Sequence, residues 1–284
     1  MNTFNEQKER EEQRGDEWVF GAIEKDIAAV PLTERIAYLP TGVSQFNNIM
    51  DTNGCVSRTF LNDSEEKLDY FYVHGMHLML QKWFRENGYI VNGKFALCDA
   101  FIEILSGTTP QGNSMKAPLD AIRKYGVIPA SLIPLEDGMT WDEYMNPNRI
   151  TEAHRKLGAE FLRRITIGYE KVPLSQFKQA TTADSLIVAL KAWSTPINEV
   201  YPRIEGTFGH ATLRITNEID AFDTYPPFLK RLAKDYIFFE WGYSISITAQ
   251  NPYPNETIAL FEVLQKYGLL SFFVEAWKRL ITKT

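Results

Sequence analysis

The chain has 284 residues, a formal net charge of -6, and a composition that is 44% hydrophobic and 13% aromatic. Such a composition can fill a sizeable core, so disorder over most of the chain is excluded, and the length suits one large domain or two packed lobes. No basic stripe interrupts the mixed charges, which argues against nucleic acid as a partner. No apolar run of about eighteen residues occurs, so neither a membrane span nor a membrane partner is expected.

The two cysteines, Cys55 and Cys98, are too few for the disulfide framework of a small secreted protein. The first residues, 1–16, are charged and polar and contain no apolar signal core. A reducing, cytoplasmic compartment is therefore predicted. In such a compartment a free thiol is available for chemistry.

The predicted elements change type along the chain. After the charged tail and an irregular segment over 17–50, turn-forming residues lead into Cys55 at the start of a helix. Apolar spacing and capping signals then predict helices at 64–87, 96–105, 116–125, 151–164 and near 184–193. Alternating β-branched and aromatic residues predict strands at 164–170, 209–215 and 236–247.

Helices thus dominate the first half and strands the second, which predicts an α+β fold. A helical lobe would cover about 50–163, and a strand-rich lobe about 164–250 together with the N-terminal segment, within one domain at 17–255. The remaining 256–284 is predicted to be a helical extension. Its apolar stretch, 256–281, is either core or a contact with a partner or a second copy.

A cysteine nucleophile requires a histidine within hydrogen-bond reach, and a helix N-terminus favours its ionised form. Cys55 has the second feature, although a lone cysteine is more often a small buried apolar residue. Among the four histidines, His74 and His77 could share a helix face, but no third ligand lies near, so no metal site is predicted. His210 opens a predicted strand.

The chain then turns near Thr216 and Asn217 and returns toward Asp223. With the midpoint of the hairpin between Thr216 and Asn217, His210 lies directly opposite Asp223, on the same face of the sheet. A carboxylate at that position can accept the second imidazole N–H and so orient the ring.

The order cysteine, histidine, aspartate resembles papain-like cysteine peptidases, in which the partners follow the cysteine by about 130–150 residues. Here His210 lies 155 residues after Cys55, and Asp223 lies 168 residues after Cys55. The resemblance, over roughly 40–248, implies a helical lobe and an antiparallel strand-rich lobe with the active-site cleft between them. It implies no cofactor, and a protein or peptide substrate.

A second stretch, 112–134, is similar to the segment of that family in which a glycine-containing substrate loop leads into a helix ending in Tyr-Gly. By this resemblance Gly112 and Asn113 line the substrate cleft, and Gly209 borders it beside the histidine. The family also places a glutamine before the nucleophile, where its amide and the cysteine N–H form the oxyanion hole. Gln45 is the candidate for that role, with Asn48 as the alternative.

Several family features are replaced in this chain. The nucleophile motif is NGCV, the usual asparagine is Asp223, and Thr224-Tyr225 stands where an aromatic shield is expected. These departures are consistent with a divergent branch, encoded by a phage, another virus or a bacterium, and in the viral case associated with the virion.

The resemblance implies a cysteine-type peptidase that hydrolyses peptide bonds through a Cys-His-Asp triad and a thioester acyl-enzyme. Three alternatives stay open. The chain could be another Cys-His acyl-transfer enzyme of the amidase or transglutaminase type. It could be a catalytically silent scaffold or virion-associated binding protein, or its nucleophile could be Cys98, which also begins a predicted helix.

Overall fold

The computed structural model describes residues 30–47, 49–216 and 220–250, together with four positions between 264 and 269. The charged tail at 1–16, the helical extension at 256–284 (apart from those four positions) and the candidate Asn48 lie outside the described residues. Within them the fold is a mixture of helices and strands, as the pattern of the sequence predicts. No helix in the described part of the chain is both long enough and apolar enough to cross a membrane.

The helices are α1 Arg35–Tyr38, α2 Cys55–His74, α3 Leu78–Glu86, α4 Asp99–Ser106, α5 Lys116–Tyr125, α6 Trp141–Tyr144, α7 Glu152–Leu162 and α8 Phe177–Ala183. The strands are β1 Ile90–Val91, β2 Lys94–Phe95, β3 Ile165–Pro173, β4 Leu186–Leu190, β5 Val200–Tyr201, β6 His210–Arg214, β7 Asp220–Phe222, β8 Leu229–Leu232 and β9 Phe238–Ala249.

Helix α2 begins at Cys55, as predicted, but it continues through Ser64, where the sequence pattern predicts the start of a separate helix. The Ser64 hydroxyl does not cap a helix but donates to the Phe60 carbonyl one turn earlier, 2.8 Å away. The helix is buried on most of its surface, and its many buried charged residues obscure the apolar period on which the prediction depended. The predicted single helix over 64–87 is also divided, because α2 ends at His74 and the His77 side chain caps α3.

The helix predicted near 184–193 is wrong, since Leu186–Leu190 forms strand β4. All five of its residues are buried, and the strand pairs with β6 on one side and β9 on the other. A short apolar run in the centre of a sheet faces core on both sides, so it shows no alternation that would distinguish it from a buried helix.

The main sheet has the strand order β3-β9-β4-β6-β7-β8-β5 and is antiparallel except for the β5–β8 pair. Helix α2 packs across one face, where Phe60 contacts Tyr243 of β9 and the Thr59 hydroxyl bonds to the Ala211 carbonyl of β6. One hydrophobic cluster joins the helices to this face, and a second covers the opposite face against α8. The sheet thereby holds the first residue of α2 near the first residue of β6.

Buried charges anchor α2 to the sheet. Lys67 forms ion pairs with Asp63 of the same helix and, at 3.2 Å, with Asp184 before β4. Glu66 accepts a hydrogen bond from the Ser185 hydroxyl at 2.6 Å. Burial raises the pKa of both Asp63 and Glu66. Each of these carboxylates is therefore more costly to ionise in the folded protein than in the unfolded chain.

Because burial raises the pKa of several acidic side chains, we expect the protein to be most stable at mildly acidic pH. Burial raises the pKa of Asp69 from 3.8 to about 7 and that of Glu103 from 4.5 to about 8. A raised folded-state pKa adds stability that is complete below the unfolded value and is lost as the pH rises through the folded value. We expect the melting temperature to fall by about 5 °C or more between about pH 5 and pH 8.5.

Calorimetric melts across that range test the prediction. In the Asp69→Asn variant the remaining side-chain oxygen can still accept the 2.7 Å bond from the Phe95 N–H. This variant should therefore fold, and its melting temperature should depend less on pH. A melting temperature that rises steadily from pH 5 to pH 8.5 would contradict the expectation.

Candidate active site

Cys55 is the first residue of α2, and the loop before it is shaped to place it there. Asn53 has a left-handed backbone with φ of 51°, and its N–H donates to Asp51 Oδ1 at 2.7 Å. Gly54 follows because any Cβ at that position would lie 1.9 Å from Glu103 Oε1. The Cys55 N–H belongs to the first helical turn, whose N–H groups have no acceptor within the helix and remain available to an anion. The residue itself is 5% exposed.

His210 and Asp223 form a buried pair, with His210 Nε2 2.5 Å from Asp223 Oδ1. The predicted hairpin register is wrong by two residues, because Leu213 pairs with Phe222 rather than with Asp220. A shift of two keeps every side chain on the same face of a sheet. Asp223 therefore still reaches the histidine, from a diagonal position directly after β7.

The charges around His210 favour its protonated form. Burial by itself would lower the pKa of His210, but the Asp223 carboxylate and, to a smaller extent, the interaction with Cys55 raise it to about 10. Burial would likewise raise the pKa of Asp223, yet the charges of His210 and Lys230 hold it below its ordinary value. Since Nε2 faces Asp223, Nδ1 is the ring nitrogen that remains for the Cys55 thiol.

Sequence reasoning missed Lys230 and Trp193, which both adjoin the pair formed by His210 and Asp223. Lys230 Nζ lies 2.7 Å from Asp223 Oδ2. The Trp193 ring packs edge-on to His210 with centroids 5.6 Å apart, and the Tyr225 ring lies 5.5 Å away from the imidazole. The lysine is one of two buried positions that alternate with exposed ones in β8, and nothing local distinguishes it from an exposed strand lysine.

Gln45 is buried beside this pair, and its amide is fully engaged. Nε2 donates to Asp51 Oδ1 at 2.7 Å and to the Tyr225 hydroxyl at 2.8 Å, while Oε1 accepts from the Thr224 hydroxyl at 2.6 Å. The Tyr225 hydroxyl in turn donates to Asp51. Both amide hydrogens are therefore occupied, and Gln45 can serve an oxyanion only by exchanging one of these acceptors.

The loop containing Gly112 lies beside the loop before α2. A Cβ on Gly112 would be 3.8 Å from the Asn53 carbonyl, and its φ of +94° favours glycine. Its N–H and carbonyl are both bonded to Thr109, so they are already used within the turn. Among the hydrogen bonds of the described residues, none uses the backbone of Asn113, which leaves that backbone available to an extended ligand. The Gly209 N–H bonds to the Leu190 carbonyl and extends the sheet beside His210.

The alternative nucleophile, Cys98, is buried in the core. Its thiol donates to the Ile133 carbonyl at 3.5 Å, and burial raises the pKa of Cys98 to about 12. His74 and His77 do not share a helix face, because α2 ends at His74. Within the described residues, no group of three or more histidine, cysteine or acidic side chains is placed to hold a metal ion.

No protein-family model and no curated protein sequence matches this chain. Among solved structures, the chain is similar to xylellain, a cysteine protease from Xylella fastidiosa, with 14% sequence identity and a TM-score of 0.45. The similarity covers 77% of this chain and 90% of that one. A likeness this distant does not support an argument about activity. A function is therefore inferred from the residues of the site.

Proposed function

We propose that the protein is a cysteine peptidase that uses Cys55 as nucleophile, His210 as general base and acid, and Asp223 as the group that orients His210. One observation carries the proposal. The thiol of Cys55, at the N-terminus of α2, interacts electrostatically with the buried imidazole of His210, and Nε2 of that imidazole is held by the Asp223 carboxylate. This is the arrangement that an activated nucleophile requires.

In the proposed reaction the thiolate of Cys55 attacks a peptide carbonyl, and its electron pair forms the new C–S bond. The protonated His210 then transfers its proton to the amine as the C–N bond breaks, leaving a thioester on Cys55. A water molecule gives a proton to His210 and attacks the thioester; the C–S bond breaks, which releases the carboxylic acid and returns the Cys55 thiolate beside the protonated His210. Asp223 remains ionised throughout and keeps one ring nitrogen facing the sulfur.

The negative oxygen formed in each step needs donors. The N–H of Cys55 is one, because it lies in the first turn of α2. The amide of Gln45 would be the second, once the substrate oxygen replaces Asp51 or Tyr225 as its acceptor. The substrate would be a protein or peptide in extended form, running along the 109–113 loop and pairing with Asn113.

Selective alkylation tests whether Cys55 is activated. Iodoacetamide is small enough for a thiol with little exposure, and peptide mass spectrometry separates Cys55 from Cys98. Both thiols are buried, but Cys55 lies at a helix N-terminus beside His210, whereas burial raises the pKa of Cys98 to about 12. We therefore expect Cys55 to react at least about tenfold faster at neutral pH. In His210→Ala this advantage should be lost.

Equal and slow labelling of the two cysteines, with no effect of His210→Ala, would contradict the proposal and favour a catalytically silent scaffold. Faster labelling of Cys98 would transfer the nucleophile to that residue. The amidase and transglutaminase types share the activated thiol and are separated from a peptidase by the choice of acyl substrate.

A further inference from the structure

Lys230 is a charged side chain enclosed by the protein next to the proposed catalytic pair. It lies on β8, and its side chain is 1% exposed. Its ammonium group contacts Asp223 Oδ2 at 2.7 Å and donates to the carbonyls of Tyr225 and Pro227, each at 2.6 Å. Three donors and three acceptors thus meet, and all the acceptors belong to the segment 223–227.

Burying an ammonium group is costly unless its charge is paired and its hydrogen bonds are made. A methionine would fill the same space in the core without that cost. The contacts of Lys230 satisfy both conditions, and they are concentrated on the residues that surround the imidazole. Asp223 holds the imidazole, and the ring of Tyr225 lies against it.

Asp223 therefore lies between two cations, with one carboxylate oxygen toward His210 and the other toward Lys230. This division has two consequences. The carboxylate cannot rotate without breaking an ion pair, so the direction in which it holds the imidazole is set. Lys230 also balances part of the charge of Asp223. Asp223 therefore stabilises the protonated form of His210 less than an unpaired aspartate would.

We infer that Lys230 is a positioning residue, which fixes Asp223 against His210 and moderates the proton affinity of the imidazole. The inference rests on the proposed function and adds a residue behind Asp223 to its machinery. It concerns an effect through Asp223, since Lys230 touches no reacting atom.

Other ionisable groups border this cluster and must stay unchanged in any test. The pKa of Tyr201, Tyr225 and Tyr236 is raised, chiefly by burial, so none of these hydroxyls ionises near neutral pH. Asp51 accepts a hydrogen bond from the Tyr225 hydroxyl, and Cys55 interacts with His210. Burial lowers the pKa of Lys230, and the Asp223 carboxylate opposes that shift.

The pH dependence of Cys55 alkylation by iodoacetate measures the inference without requiring a substrate, because this anionic reagent reacts faster while His210 is protonated. In Lys230→Met we expect the alkaline limit of the thiolate–imidazolium pair to move upward by about one pH unit, because the whole charge of Asp223 then acts on His210. Lys230→Arg, which restores the cation, should return the limit toward that of the unchanged protein. Lys230→Gln removes the charge but keeps a donor to the carbonyls, and should shift the limit as methionine does.

A matched control is available in Lys116, another buried lysine, whose partner is Asp120 on the same helix at 3.7 Å. Lys116→Met should leave the alkylation profile unchanged. If Lys230→Met or Lys230→Gln keeps the original profile and loses only thermal stability, Lys230 is structural and the inference is overturned. If the unchanged protein shows no selective, pH-dependent alkylation of Cys55, the proposed function itself fails.

Discussion

Replacing Cys55 with alanine is expected to lower the hydrolysis of a general protein substrate, such as fluorescently labelled casein, by at least about 10³-fold. The thioester cannot form without the sulfur, and neither His210 nor the oxyanion donors can substitute for it. The fold should tolerate the change, because Cys55 is small and is the first residue of α2. Initial rates at neutral pH, with circular dichroism to verify folding, give the result.

Cys98→Ala is the matched control, since it removes the other of the two cysteines in the sequence. We expect this variant to lose stability, because Cys98 is buried, but to retain its rate per folded molecule. Full activity in Cys55→Ala would end the proposal. Loss of activity in Cys98→Ala at full folding would move the nucleophile to the second cysteine.

Gly158→Ala is expected to lower the free energy of unfolding by about 2–4 kcal/mol. Gly158 lies in α7, where a Cβ would be 2.1 Å from the Tyr125 carbonyl oxygen at the end of α5. The contact is reciprocal, because a Cβ on Gly126 would be 2.0 Å from the Gly158 carbonyl oxygen. Backbone atoms form both sides of this contact, so the helices must move apart. Urea unfolding measures the loss.

Gly93→Ala distinguishes the close contact from an ordinary glycine effect. Gly93 has a φ of +82° but open space around its Cβ position, so alanine there is strained without meeting a neighbour. A loss of about 1 kcal/mol is expected. Should Gly158→Ala prove no more costly than Gly93→Ala, the two helices would have to be less closely packed than the structure describes.

Local signals in the sequence predicted much of the chain correctly. The helix at 116–125 has its predicted bounds, and Thr151 caps α7 by accepting a bond from the His154 N–H at 3.3 Å. The strands predicted at 164–170 and 236–247 correspond to β3 and β9 within a few residues. Caps, breakers and periodicity act between neighbours in sequence, and they are readable for that reason.

Predictions failed where burial on all sides removed the pattern. β4 is apolar on both faces, and α2 contains buried charges paired with distant residues, so neither shows the alternation or the period of a half-exposed element. The register of the hairpin between β6 and β7 depends on which residues pair across the sheet. The composition of the turn did not specify that register. The catalytic roles of Cys55, His210 and Asp223, and the two-lobe arrangement, stay predictions.

By itself the sequence determined the mixed class of the fold, the position of a thiol at a helix start, and a histidine and an aspartate on one face of a hairpin. Only the tertiary structure decided that a buried lysine stands behind Asp223 and that the amide of Gln45 is already occupied. Gln45 and its partner Tyr225 are 180 residues apart in sequence. The free energy of a buried polar group depends on the partners that packing brings to it, and local sequence does not record them.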